Sequence, residues 1–166
     1  LVVNWDHQKQ SRLMAFNTRI GKELWSVERD EMTSWSTPLI VPVNGEAQVL
    51  VSATGAVRGY DLKTGAVIWE CRGLSRNVVA SPVAGDGMLF AANSYDWQAM
   101  MGIRLAGAKG DITDSTNVVW KLDRLTPYVP SPLLVGNTLF FLRHNQNILS
   151  MLDARTGRSI EGPFRL

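Results

Sequence analysis

The sequence has 166 residues, a formal net charge of +2, 45% hydrophobic and 19% charged residues, and a mean hydropathy of −0.03. That is enough chain for the core of one ordinary domain, and too little net charge to argue for nucleic acid or a membrane surface as partner. No apolar run approaches the ~18 residues that a membrane-spanning helix needs. Cys71 is the single cysteine, so no internal disulfide can form.

Helical periodicity is nearly absent. The apolar runs are short, rich in Val, Leu, Ile and aromatics, and bounded by Gly, Pro, Asn and Asp, which is the pattern of strands and turns. Each of four units reads as up to four strands, A to D. The first unit, about 1–35, has B ending at Trp5, then C and D, but no A. No signal-peptide pattern opens it, which says little because Leu1 falls inside a repeat. The second, 36–78, has A near 37–42, B near 47–53, C near 56–61 and D near 66–71. The third, 79–128, opens on Pro82-Val83-Ala84 and has B near 87–93, C near 99–105 and D near 117–123, with a longer C–D connection at Ala106–Asp111 and onward. The fourth, 129–166, has A near 132–135, B near 138–142 and C near 147–153. Its D strand is predicted to be weak, because Glu161-Gly162-Pro163 stands where an aromatic ring should be.

Three segments share one strand-turn-strand pattern: Ala15–Trp25, Gly59–Trp69 and Met151–Glu161. Gly21, Gly65 and Gly157 each follow an Asn or Asp by four residues, and the first two segments reach Trp eight residues after it. Asn17 to Asp61 is 44 residues and Asp61 to Asp153 is 92, two steps of 46. Thr37-Pro38, Ser81-Pro82 and Ser131-Pro132 open apolar strands with prolines 44 and 50 residues apart. A period of ~40–50 residues built of short strands is the signature of a propeller blade. Proline at a strand's first residue loses no ladder bond and suits an innermost strand. The expected fold is all-β: a propeller segment of about four four-stranded antiparallel blades, two complete and two partial. Closed propellers usually need ~4–8 blades to remove their open edges. The chain therefore reads as one partial domain of a longer ring, or as a piece that self-associates through its open blade edges.

With the Ala-x-Asp-x-x-Thr-Gly-x-x-x-Trp pattern in view, the chain resembles the pyrroloquinoline-quinone-like repeat propellers over essentially its whole length. Gly110-Asp111-Ile112-Thr113, Val119–Asp123 and Pro127–Leu134 are similar to a secreted bacterial subgroup described as BamB-like. The resemblance implies an eight-bladed ring, a periplasmic or extracellular location, and docking of the motif Trp on a neighbouring blade. It assigns that role to Trp25 and Trp69, with Trp120 as a third after a broken motif. In the family's quinoprotein dehydrogenases the cofactor site uses an adjacent Cys pair, a Trp platform and carboxylates that hold calcium. With Cys71 alone the Cys pair cannot form in this stretch, so neither pyrroloquinoline quinone nor calcium is expected in this segment. A cofactor site in further blades stays open.

Catalytic motifs are sparse. There is no Gly-x-Ser-x-Gly elbow, and His7 and His144 are the only imidazoles, both placed in B–C turns. Asp111-x-x-Asp114 is not a calcium loop, and Gly107–Gly110 lacks the Gly-Lys-Ser/Thr ending of a phosphate loop. In a propeller the D–A and B–C connections emerge on one face. That places Asp30, Glu31, Trp35, Arg72, Arg76, Asn77, Arg124 and Tyr128 beside His7, Tyr95, Asp96, Trp97, Arg143, His144 and Asn145. Exposed Trp, Tyr and Arg are the residue types that dominate binding hot spots. Trp35, Arg76, Asn77, Tyr95, Asp96, Trp97, Arg124, Tyr128, Arg143 and His144 are the candidate binding face. Trp25, Trp69, Trp120, Gly21, Gly65 and Gly157 are the candidate blade-docking set. The expected function is a non-catalytic scaffold that binds a protein or peptide in the bacterial cell envelope. The alternatives are part of a quinone-dependent dehydrogenase, or a ligand-sensing propeller domain.

Overall fold

The computed structural model describes residues 1–144 and 146–166; Asn145 lies outside the described residues. The described strands fall into four sheets. The first holds β1 (Val2–Trp5), β2 (Ser11–Phe16) and β3 (Glu23–Arg29). The second holds β4 (Leu39–Val43), β5 (Glu46–Ala53), β6 (Ala56–Asp61) and β7 (Val67–Arg72), joined by the short β11 (Gly110–Asp111). The third holds β8 (Val83–Gly85), β9 (Met88–Asn93), β10 (Ala99–Arg104) and β12 (Val118–Leu122). The fourth holds β13 (Leu133–Val135), β14 (Thr138–Leu142), β15 (Ile148–Asp153) and β16 (Ser159–Arg165). Neighbouring strands pair antiparallel, apart from β11, so these are the blades of a propeller segment.

The repeated turn folds because its own side chains satisfy it. Asp61 Oδ1 accepts from the backbone N–H of Lys63 and Thr64 at 3.0 and 2.8 Å and from the Thr64 hydroxyl at 2.8 Å. Asp153 takes the same bonds from Thr156, and Asn17 from the amides of Arg19 and Ile20. The glycine N–H closes each turn onto the Asn or Asp carbonyl, with Gly21, Gly65 and Gly157 at φ of 67°, 75° and 68°. Side chains rarely adopt that conformation, which fixes glycine there.

One register recurs across the sheets. Ala15 pairs with Trp25, Gly59 with Trp69, Gly102 with Trp120, and Met151 with Glu161. A small residue lies opposite each indole because the ring folds over it. A Cβ on Gly59 would meet Trp69 Nε1 at 2.2 Å, and one on Gly102 would meet Trp120 at 2.4 Å. Where the ring is absent, in the fourth blade, Met151 fills the position. The core lies at the seams. One apolar cluster joins blades 1 and 2 through Leu13, Val49, Val51 and Tyr60. A second joins blades 2 and 3 around Trp69, Leu89 and Ile103, and a third joins blades 3 and 4 around Phe90, Trp120 and Leu139. The innermost strands are linked by hydroxyls: Thr37 N–H donates to Ser81 Oγ and Ser81 N–H to Ser131 Oγ, both at 2.9 Å.

Two features differ from the expectation. The fourth blade, expected to be partial, has all four strands. β16 pairs with β15 through register shifts at Leu149–Met151 and Met151–Leu152, but its seven residues are all exposed and it brings no ring to the seam. The long C–D connection of the third blade leaves its own sheet. Its β11 pairs parallel with β7, Gly110 beside Trp69 and Asp111 beside Glu70, and Ile112 N–H donates to Glu70 O at 2.8 Å. With no Asp-x-x-Thr-Gly turn to close it, this segment covers the seam instead, burying Ala108 and Ile112.

Candidate functional site

Ser11 pairs with Arg29, so the start of a C strand lies beside the end of its D strand, and the B–C and D–A connections emerge at one end. On that end the structure brings together most of the residues singled out from the sequence. Arg76 grips Asp96 through two bonds, Nη2 to Oδ1 at 2.7 Å and Nε to Oδ2 at 2.9 Å. The Arg76 hydrogen bond holds the Asp96 carboxyl below its ordinary range. Tyr95, Tyr128 and His144 form an aromatic run, with ring centroids 5.9 and 5.0 Å apart. Partial burial and the nearby Tyr95 push the Tyr128 hydroxyl up. Trp97 is 53% exposed and donates from Nε1 to Gly73 O at 3.2 Å. Trp35 is 57% exposed, and its backbone N–H donates to Val78 O, which sets it beside Asn77. Arg124 and Arg143 lie apart from these, lining a cavity at the seam of blades 3 and 4.

A buried polar frame fixes the connections. The Asn93 amide donates to Ser75 Oγ at 2.7 Å and to Arg76 O at 2.6 Å, which anchors the loop that carries Arg76. The Ser94 hydroxyl lies 2.6 Å from Thr126 Oγ1 and 2.9 Å from Pro127 O. His144 N–H donates to Thr126 O at 3.2 Å. The Asn93 bonds tie the loops of blades 2 and 3 together, the Ser94 bonds brace the two loops of blade 3 against each other, and the His144 bond joins blades 3 and 4. Gln98 and Ser94, unremarkable in sequence, therefore position the face; Gln98 Oε1 accepts from Thr126 N–H at 3.3 Å.

The structure corrects the placement of Glu31. Its side chain is 1% exposed, in a charge network at the seam of blades 1 and 2. Glu31 pairs with Arg58, Arg58 with Glu70 at 2.6 Å, and Glu70 with Arg72 at 2.8 Å. Arg29 lies 3.4 Å from Asp6 and 5.6 Å from the Tyr60 ring centre, and the Ser34 hydroxyl donates to Asp6 at 2.6 Å. Burial pulls Arg29 below its ordinary value and pushes Tyr60 up. The sequence offered no signal for this network, because charged residues that meet across a seam are far apart in the chain.

The family model described as outer membrane protein assembly factor BamB matches residues 1–161. The chain belongs to the BamB family. The crystal structure of BamB from Moraxella catarrhalis superposes with a TM-score of 0.63 at 19% identity, covering 96% of this chain and 44% of that one. The Pan2 WD40 domain of Neurospora crassa gives 0.59 at 16% identity, covering 96% and 48%. This BamB-family chain thus spans less than half the length of either propeller. No curated protein matches.

Within the BamB-family pattern the indoles are placed in two ways. Trp25 donates from Nε1 to Leu62 O and Trp120 to Ala154 O, both at 2.9 Å, each reaching the carbonyl just after the turn Asp of the next blade. Each ring also lies on that turn's glycine: a Cβ on Gly65 would be 2.7 Å from Trp25, and one on Gly157 2.6 Å from Trp120. Trp69 meets the blade without such a turn. Its ring is fully buried in the seam, and its N–H turns back to Gln48 Oε1 at 3.0 Å. Burial raises the Cys71 thiol to about 11, which keeps it protonated and unreactive. Among the described residues no group of three or more His, Cys, Asp or Glu side chains is placed to hold a metal ion.

Proposed function

We propose that this BamB-family chain is a segment of a non-catalytic scaffold that binds a protein or peptide in the bacterial periplasm or outside the cell. The reading rests on one observation: Tyr95, Tyr128 and His144 make successive tilted and edge-to-face ring contacts at the loop end, flanked by the Arg76–Asp96 pair and Trp97. Aromatic and arginine side chains carried on loops that buried hydrogen bonds hold lose little backbone freedom on binding, so more of their contact energy reaches the affinity. The Asn93 and Ser94 bonds supply that preorganisation. Family membership supports the envelope location, and the assembly-factor description of the family supports a protein partner. Trp25, Trp69 and Trp120 hold the blades in register beneath the face.

Capture of envelope proteins on the immobilised chain tests the reading. The variant with Trp35, Arg76 and Trp97 changed to Ala is expected to lose the captured partner while keeping its thermal midpoint. Undiminished capture by that variant would overturn the proposal. Adding pyrroloquinoline quinone and calcium to the full-length protein is expected to give no dye-linked oxidation of alcohols or sugars. Activity there would replace the scaffold with a dehydrogenase.

A further inference from the structure

The blade repeat allows one seam to be compared with another, and the comparison isolates two arginines. Counted from the D-strand Trp, Arg29 and Arg124 occupy the same position; counted from the residue opposite that Trp, Arg58 and Ser150 do. At the fourth blade Arg143 reaches across from the end of β14, donating from Nε to Ser150 Oγ at 2.7 Å. The seams between blades 1 and 2 and between blades 3 and 4 therefore each carry two guanidinium groups at the loop end. Between blades 1 and 2 they are neutralised, Arg58 by Glu31 and Glu70, and Arg29 by Asp6 and Glu31. Between blades 3 and 4 the acids are missing. The position of Glu31, six residues after the Trp, is Thr126, and that of Glu70 falls at Gly162-Pro163. Among the described residues, no acidic group pairs with Arg124 or Arg143 within 4.0 Å.

Both arginines line a cavity of about 170 Å³ whose apolar lining includes Leu122, Leu125, Phe141 and Leu152. Glu161 also borders it, one carboxylate against two guanidiniums. Leu125 sits at the cavity with a φ of 58° and 42% of its surface exposed. A bulky side chain seldom adopts that backbone region, and here it holds an apolar surface beside Arg124. Two guanidinium groups with no carboxylate paired to them, set over an apolar floor, select a carboxylate carried next to an apolar group.

We infer that the seam between blades 3 and 4 is a carboxylate pocket, which takes an acidic group flanked by an apolar side chain from the peptide bound at the loop end. The inference deepens the proposed scaffold reading and rests on it. Calorimetric titration of the chain with acetyl-Leu-Glu-Leu-amide, acetyl-Leu-Gln-Leu-amide and acetyl-Leu-Gln-Leu with a free carboxyl end tests it. At least one carboxylate peptide should bind at least about tenfold more tightly than the uncharged peptide, the scale of a charge-assisted hydrogen bond. The one that does so identifies a side chain or a chain end as the source. Arg124→Met and Arg143→Met should each remove that preference. Arg143→Met also loses the bond to Ser150, so if it fails to fold, the exposed Arg124→Met decides alone. Equal affinity for charged and uncharged peptides, no binding of any peptide, or unchanged preference in Arg124→Met would overturn the pocket. Arg76→Ala, a change in the face rather than in the pocket, should weaken the three peptides alike and keep the carboxylate preference, so failure of the pocket and failure of the face give separate results.

Discussion

Trp69 is the side chain on which most packing converges, since its ring is fully buried and its N–H is used by Gln48. Trp69→Ala should cost about 3–5 kcal/mol, the range for emptying a large aromatic site, measured by urea denaturation. A loss under ~1 kcal/mol would mean that the seam closes without the ring. Gly59→Ala attacks the same contact from below. Its Cβ would lie 2.2 Å from Trp69 Nε1, so the indole or the strand must shift, at about 1–3 kcal/mol. Ala15 occupies this position in the first blade, where Trp25 is only half-buried and lies against Gly65 instead. Trp97→Ala should stay within about 0.5 kcal/mol, as surface changes usually do, because the ring is 53% exposed.

At the scale of the element, the repeated turn predicts an acid response. Thr64 hydrogen bonds hold the Asp61 carboxyl below the ordinary aspartate range, and Thr156 and Thr113 do the same for Asp153 and Asp111. A depressed folded pKa gives stability that is fully present above the unfolded value and is lost as pH falls through the folded one. Unfolding midpoints should therefore decline below about pH 4, the ordinary aspartate range, and Asp61→Asn should flatten that decline. An unchanged slope in Asp61→Asn would show that the turns do not contribute. The turns were legible in sequence because their chemistry is local: one Asx side chain, one Thr and one Gly within five residues. Most strand positions followed to within a residue or two for the same reason. β11 was not legible, since its parallel pairing with β7 joins two blades. Nor was the burial of Glu31, which depends on Arg58 arriving from the next blade. At the loop end the residue types were legible, while the grouping that sets Arg124 and Arg143 apart from the aromatic run required the seam geometry. Gly59 and Ala15 did carry a readable signal, a small residue ten positions before each Trp, but its meaning depends on strand register.

At the scale of the molecule, each blade touches only its neighbours, so stability is expected to add up seam by seam, as in other repeat architectures. The seams differ in kind. Blades 2 and 3 join through a wide apolar cluster with Cys71 Sγ 3.6 Å from Met101 Sδ. Blades 1 and 2 combine a smaller apolar cluster with the charge network. Glu31→Ala would strip Arg58 and Arg29 of a partner inside that seam. Breaking a buried pair from one side costs about 3–5 kcal/mol; the 20% exposure of Arg58 places the expected loss at the lower end of that range. Hydrogen exchange then separates two outcomes. If the seams act independently, amides of β2 and β3 lose protection in Glu31→Ala, while those of β9 and β10 keep theirs. Equal loss across all four sheets would mean that the blades unfold as one unit, and that the first seam limits the stability of the rest.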